Sequence, residues 1–339
     1  MRKYLITGIF LVAGVIAARA QNIYGNQPSF TRQYLQPATM GFSDYAGVYL
    51  FQRNEEVVNE VGFSTTLMSL QMPIFSTKSD AKLGVAGVTV MRDASNGGGF
   101  PLRHIAVEGT YAYAQPIAKG HSVAASAGFG YHGLRLGVDG LSTASQWVQY
   151  LGIDESLPTG ENLPSARVGY MSVNAGLGYQ WLNDEGQKLV ETGFSAFAVN
   201  RPNESFFPGA SSQLPVRWAW WASVRAYQAG NWGFYPQVYT DYRGGAWLLN
   251  AGLAVDMAIH NDNPLDPVQD GVLRLAARYS QAQILALALQ FDQPQYQLAF
   301  SFDLGFGATR TYQQATEIGL SYRRNLRPRT QNTEDLDAE

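Results

Sequence analysis

The chain contains no cysteine, few charged residues and, after its first twenty residues, no long apolar run. Without cysteine it can form no disulfide framework and carries no lipid-anchored cysteine. Charged residues make up 15% of the chain, against about 25% in typical soluble domains. No 18 consecutive apolar residues follow residue 20, so no helical membrane span is available. These absences exclude a disulfide-rich secreted fold and a helical membrane protein.

The first twenty residues have the features of an export signal. Arg2 and Lys3 form a basic start, residues 5–18 are apolar, and Ala18 and Ala20 supply the small-residue cleavage pattern. An uncleaved anchor helix is the alternative, but the apolar run is short for a span of about 20 residues. We therefore predict a signal peptide over residues 1–20 and export from the cytoplasm.

The remaining composition is typical of a membrane β-barrel. Without the three basic residues of the signal, about 21 basic side chains face 27 acidic ones. This acidic balance argues against nucleic-acid binding, which requires a basic surface. The chain has 19 Tyr, 17 Phe and 35 Gly, and its mean hydropathy is −0.15. Aromatic girdles and alternation between lipid-facing and lumen-facing residues produce such values in barrels.

Apolar and small or polar residues alternate along most of the chain. Along residues 105–113 the odd positions are mostly large and apolar, whereas the even positions are small or polar. The same period of two recurs at 123–132 and 315–322. Such a period indicates β-strands, because successive side chains point to opposite faces. A β-sandwich would give the same period, so alternation alone leaves both folds open.

Counting these runs predicts an all-β, antiparallel transmembrane barrel of about fourteen strands over residues 45–325. A short plug-like N-terminal segment (21–44) precedes the barrel, and a polar, disordered tail (326–339) follows it. The predicted strands are 45–54, 60–74, 81–92, 102–117, 121–135, 165–182, 187–200, 214–229, 231–243, 245–259, 271–280, 282–292, 295–305 and 312–324. The predicted outward-facing loops are 137–164, 203–215 and 261–271. The predicted periplasmic links are 183–186, 229–231 and 293–294.

No motif points to catalysis or to a cofactor. The four histidines (His104, His121, His132 and His260) have neither helical spacing nor cysteine partners, which favours ordinary barrel and loop residues over a metal site. Residues 96–100 are glycine-rich but lack the lysine of a phosphate-binding loop. Aspartates at 262, 266 and 270 favour a solvated loop over a calcium site. No G-x-S-x-G elbow occurs, so we predict no enzyme, no cofactor and no metal.

Six charged residues interrupt strands that are otherwise apolar or small. They are Glu108, Arg225, Arg274, Arg278, Asp303 and Glu317. A lipid-facing arginine would cost about 2–4 kcal/mol near the bilayer midplane, so these charges predict the lumen face. Because both signs are present, pairing that holds an internal plug is favoured over a conduit for a charged substrate. Arg217, near a strand end rich in tryptophan, is instead predicted at headgroup level.

The N-terminal stretch 30–41, Phe-Thr-Arg-Gln-Tyr-Leu-Gln-Pro-Ala-Thr-Met-Gly, resembles the opening signature of the PorP/SprF family. The matching residues are Phe30, Gln33, Tyr34, Pro37, Ala38 and Gly41, whereas Gln36 stands where an asparagine is usual. Residues 300–303, Phe-Ser-Phe-Asp, are similar to the family's Tyr-Ser-Tyr-Asp strand. Residues 277–279 lie near its Tyr-Arg strand in inverted order. Residues 316–320 are similar to its closing strand without the histidine.

This resemblance implies an outer-membrane component of the type IX secretion and gliding-motility machinery of Bacteroidota. It implies export or surface attachment of cargo with a C-terminal sorting domain, and partners among the periplasmic components and outer-membrane lipid. Phe30, Gln33, Tyr34 and Pro37 then form the motif that enters or caps the barrel. The alternative is that they are only packing contacts at its base.

Two other functions are compatible with a barrel of this kind. The first is a FadL-like or porin-like uptake channel, which should bind ligand or conduct ions when purified. The second is a lipid hydrolase, which requires an exposed Ser–His pair that no motif indicates. A secretion component should instead copurify with periplasmic proteins and cargo.

Overall fold

The structure is a computed structural model. It describes residues 26–57, 61–79, 81–96, 101–137, 144–154, 156–158, 167–207, 209–259, 270–306 and 314–326. The predicted signal peptide, and all but the first residue of the predicted tail, lie outside these residues. No helix among the described residues is long and apolar enough to cross a membrane.

Fourteen strands of the described chain form one closed antiparallel barrel, which confirms the predicted fold class. The strands are β1 (Tyr45–Val57), β2 (Val61–Phe75), β3 (Lys82–Asn96), β4 (Leu102–Ala118), β5 (His121–Leu136), β6 (Arg167–Leu182), β7 (Lys188–Phe197), β8 (Arg217–Val224 and Tyr227–Ala229), β9 (Trp232–Arg243), β10 (Ala246–Ile259), β11 (Gly271–Ser280), β12 (Ile284–Asp292), β13 (Tyr296–Gly305) and β14 (Gln314–Asn325). Each strand pairs with its neighbours in the chain, and the pairing of Tyr45 with Asn325 closes β1 onto β14. Both pieces of β8 pair with β9, so they form one interrupted strand.

The exposed face of the wall is apolar, and this distinguishes the barrel from a sandwich. On β4 the side chains of Ile105 and Val107 are about half exposed (52% and 46%), whereas Ala106 and Glu108 are buried. In a sandwich the large apolar side chains would instead fill the space between two sheets. An apolar outer face and a small or polar inner face are typical of a barrel in lipid.

The even number of strands places both termini of the barrel at the same end. The tight turn at Gly244 and Gly245, whose φ angles are 58° and 91°, joins β9 to β10 at the opposite end. The predicted outward-facing loops 137–164 and 203–215 are also at the opposite end, because they follow β5 and β7.

The loop 261–271 was predicted to face outward, and the strand order contradicts this prediction. Residues 260–269 lie outside the described residues, but Ile259 ends β10 and Gly271 begins β11 at the end that carries both termini. The loop therefore shares its end with the short links 183–186, 229–231 and 293–294. The prediction failed because it relied on loop length, whereas antiparallel strand order alone decides the end.

An N-terminal segment (Asn26–Phe42) lies inside the barrel. It contains helix α1 (Pro28–Leu35) and a 3₁₀ helix (Pro37–Phe42). Pro28 suits the first helical turn, where its missing N–H needs no acceptor, and Pro37 disfavours a helical conformation at the preceding residue. Helix α1 contacts β1, β2, β3 and β14, and the 3₁₀ helix contacts β3 to β7.

Candidate functional site

The residues of the N-terminal signature pack against the inner wall. Phe30 is 2% exposed and packs with Phe51, Leu67 and Met91 of three neighbouring strands. Gln33 and Pro37 are buried as well, and Tyr34 is partly buried. The structure therefore brings together the four predicted signature residues as lumen packing contacts.

The inner wall has glycines where the N-terminal segment approaches most closely. A Cβ at Gly319 would lie 2.6 Å from the ring of Phe30, and one at Gly87 would lie 2.9 Å from the amide oxygen of Gln33. A Cβ at Gly193 would collide with the side-chain amide of Gln36. Real Cβ atoms do not approach this closely, so a side chain at any of these positions would force the facing side chain of the segment to move.

Three of the six predicted lumen charges converge on Asn26, a residue that the sequence did not single out. The backbone N–H of Asn26 donates to both carboxylate oxygens of Glu317, at 3.0 and 2.9 Å. Its side-chain amide donates to Asp303 at 2.7 Å, and Arg278 donates to its carbonyl oxygen at 2.6 Å. Charged residues of three wall strands thus form hydrogen bonds with the backbone N–H, the side-chain amide and the carbonyl oxygen of Asn26.

The two carboxylates of this clamp share a buried arginine. The guanidinium of Arg53, on β1, pairs with Glu317 and lies 2.9 Å from Asp303. Arg53 also pairs with Glu55 at 2.6 Å, and Ser301 donates to Glu317 at 2.7 Å. Buried charges require such pairing, because an unpaired charge away from water is strongly destabilising. We refer below to Asn26, Arg53, Arg278, Asp303 and Glu317 as the Asn26 clamp.

Arg217 was predicted at headgroup level, and the structure places it in the lumen instead. Its Nε lies 2.6 Å from a carboxylate oxygen of Asp241, to which the Tyr239 hydroxyl also donates at 2.7 Å. The guanidinium lies over the rings of Tyr34 and Phe197, at 5.2 and 4.7 Å from their centroids. The prediction failed because the buried acid that compensates Arg217 is on the next strand, β9.

Glu108 lies in a separate cluster with two histidines and a serine. His132 Nε2 lies 2.8 Å from the Ser172 hydroxyl and 3.5 Å from the Glu108 carboxylate, and His132 Nδ1 lies 3.1 Å from His104 Nε2. In a catalytic triad the acid holds the histidine nitrogen opposite the serine. Here the carboxylate and the serine face the same nitrogen, and Ser172 is only 2% exposed. The cluster is therefore not arranged as a hydrolase site.

The two remaining predicted charges lie apart from the Asn26 clamp. Arg274 binds Asp256 through two bonds of 2.6 and 2.7 Å. Arg225 lies at the interruption of β8 and donates to the side chains of Gln187 and Gln228, near the end of the barrel that carries the termini. Arg225 thus lies at the rim of the barrel, whereas the predicted charges Glu108, Arg278, Asp303 and Glu317 are buried in the lumen.

No group of three potential metal ligands occurs among the described residues. His260, Asp262 and Asp266, which were considered as ligands, lie outside that part of the chain, as do residues 97–100 of the glycine-rich stretch. His121 faces Tyr179 and Trp181 at the end of the wall that carries the termini.

Three further charged residues of the described chain are buried but were not predicted from the sequence: Arg53, Asp241 and Glu191. The first lies in a polar stretch, Gln52 to Glu56, where its strand face was not distinguished. A search for charges at inward parity on every strand would have found all three, because the period of two assigns each residue a face.

The chain is similar to known proteins in sequence family and in fold. A family model described as type IX secretion system membrane protein PorP/SprF matches residues 18–326. The CymD monoaromatic hydrocarbon channel is 13% identical, with 93% of this chain and 96% of that chain covered and a TM-score of 0.53. The Pseudomonas putida toluene transporter TodX is 12% identical, with 93% and 97% covered and a TM-score of 0.50. At such identity the likeness shows the fold alone. No curated protein matches the chain.

Proposed function

The chain belongs to the PorP/SprF family of type IX secretion system membrane proteins, and on that premise we propose that it serves the type IX secretion and gliding-motility machinery. In this role it aids the export or surface attachment of cargo that bears a C-terminal sorting domain. The protein is located in the outer membrane, as its family and its barrel fold indicate. Its partners are the periplasmic components of the same machine, the cargo and the surrounding lipid.

The N-terminal segment acts in this proposal as a permanent plug of the barrel. The observation that supports it is the Asn26 clamp, in which Glu317, Asp303 and Arg278 hold one residue of the segment. The glycines opposite Phe30, Gln33 and Gln36 fit the wall to the segment. Residues 1–20 are removed on export in this account, and residues 326–339 form a polar tail. The protein then acts by holding partners rather than by chemistry of its own.

An uptake channel is the second candidate function. Two solved structures with a similar fold are channels or transporters of toluene and other monoaromatic hydrocarbons. The lumen also contains a cavity of about 180 Å³ beside α1, on the inner face of β7, β8, β9, β11 and β12. A channel of this kind would supply the cell with one nutrient and would need no secretion partner.

Deletion of the gene in its native host separates the two functions. The proposed role predicts that particular large cargo proteins disappear from the medium and the cell surface, while other outer-membrane proteins remain. Return of the wild-type gene restores them. Unchanged surface and released proteins, together with slow growth on one nutrient, would contradict the secretion role and support the channel.

A further inference from the structure

Four basic side chains and one acidic side chain line the cavity beside α1, together with neutral residues. Helix α1 covers one side of it, and β7, β8, β9, β11 and β12 form the other. Its basic lining residues are Arg32, Lys188, Arg274 and Arg278, and Glu191 is the acidic one. Lys188 begins β7 and Gln290 is near the end of β12, so these two lining residues lie toward the end of the barrel that carries the termini.

The pairing around this cavity leaves an excess of positive charge. Arg32 and Lys188 share one carboxylate, that of Glu191. Asp256, on the next strand, neutralises Arg274 through its bidentate contact. Arg278 donates to neutral oxygens of Gln237 and of the Asn26 backbone. Arg32 and Lys188 thus have one carboxylate between them, and positive charge in a partly enclosed lumen attracts an anion.

Two buried amides add donors without acceptors. Gln36 and Gln290 both line the cavity and are 4% and 3% exposed. Their oxygens accept from Ser195 and Ser29, whereas their amide nitrogens have no hydrogen-bond partner among the described residues. An amide nitrogen can only donate, so each requires an acceptor. Leaving such a group unsatisfied is destabilising, and an acceptor in the cavity would offset this loss.

We propose that this cavity is a binding site for a small organic carboxylate with a flat apolar body. The carboxylate of this ligand accepts hydrogen bonds from the basic and amide groups of the lining. Such charge-assisted hydrogen bonds are stronger than those between neutral groups. The body packs against Trp221 and Tyr235, which line the same space. The volume of about 180 Å³ is below the roughly 300 Å³ of drug-sized pockets, so the ligand is about one ring in size. This site is independent of the secretion role.

Binding to the purified full-length protein tests this site. Benzoate is titrated by calorimetry and by the change in tryptophan fluorescence that Trp221 reports, and benzyl alcohol is the neutral match of similar shape. We expect benzoate to bind about tenfold or more tightly than benzyl alcohol, because only benzoate satisfies the charged donors. Equal binding of the two, no benzoate binding, or equal binding of inorganic phosphate would overturn the proposal.

Charge-changing variants separate a binding role from a structural one. Gln290→Leu and Lys188→Gln each remove a hydrogen-bond donor from the cavity. Each should weaken benzoate binding several-fold. Glu191→Gln removes the competing carboxylate and should strengthen benzoate binding, an effect that mere loosening of the wall would not produce. Lys119→Gln, on an exposed turn outside the cavity, is the matched control and should leave binding unchanged. Weaker binding by Glu191→Gln in a protein with unchanged melting would overturn the proposal.

Discussion

At the scale of single residues, the lumen is organised by charges that each require a partner from another strand. Arg53 lies between Glu317 and Asp303, and Arg217 lies against Asp241. Replacing one partner of such a pair leaves the other charge buried and unpaired, which costs more than the pair contributes. Asn26 attaches the N-terminal segment to the wall by donating to Glu317 and Asp303, the two carboxylates that also pair with Arg53.

Glu317→Gln tests the Asn26 clamp. The change removes the charge that Arg53 and the Asn26 N–H share, and we expect a loss of about 3–5 kcal/mol in stability. The N-terminal segment should become accessible to protease, and the barrel should unfold at lower temperature on heated gels. Glu185→Gln, on an exposed turn, is the control and should behave as wild type. Wild-type protease resistance in Glu317→Gln would show that the clamp does not hold the segment.

At the scale of elements, the sequence predicted the strands well and the contacts between distant strands poorly. The period of two gave all fourteen strands, because each strand shows its own two faces in its own residues. The contact of Asn26 with Glu317 spans 291 residues and depends on barrel closure, which no local pattern contains. Arg217 was misplaced because its acid lies on the neighbouring strand β9, and loop 261–271 was misplaced because its length was used in place of the strand order.

The fit between α1 and β14 is tested by Gly319→Val. A side chain there would displace the ring of Phe30, and we expect overpacking to cost about 1–3 kcal/mol and to expel the segment. The measurement is protease cleavage of the N-terminal segment in folded protein. Gly109→Val is the matched control, because a Cβ at Gly109 meets no atom within 4 Å. Equal cleavage of the two variants would contradict a wall fitted to the segment.

The end assigned to each loop can be tested by labelling, because the chain has no native cysteine. Strand order places Tyr150 at the end opposite the termini, and the exposed Asp270, directly before β11, at the same end as the termini. In intact cells a membrane-impermeant maleimide should label Tyr150→Cys and leave Asp270→Cys unlabelled. Disrupted cells should label both. Labelling of Asp270→Cys in intact cells would restore the outward-facing assignment of loop 261–271.

At the scale of the whole molecule, the protein is an outer-membrane barrel with its own N-terminal segment inside the lumen. A monoaromatic hydrocarbon channel and a toluene transporter share the barrel fold, so the fold does not decide the function. The family is the stronger guide, since its model matches residues 18–326. A secretion component has to bind other proteins, whereas an uptake channel acts alone.

Copurification from native membranes tests the secretion role most directly. The tagged full-length protein is extracted in mild detergent after brief crosslinking in living cells, and its partners are identified by mass spectrometry. Another tagged outer-membrane barrel of the same host is the control. We predict recovery of periplasmic type IX components and of cargo with a C-terminal sorting domain. Recovery of the barrel alone, in a form that conducts ions across a lipid bilayer, would contradict the account.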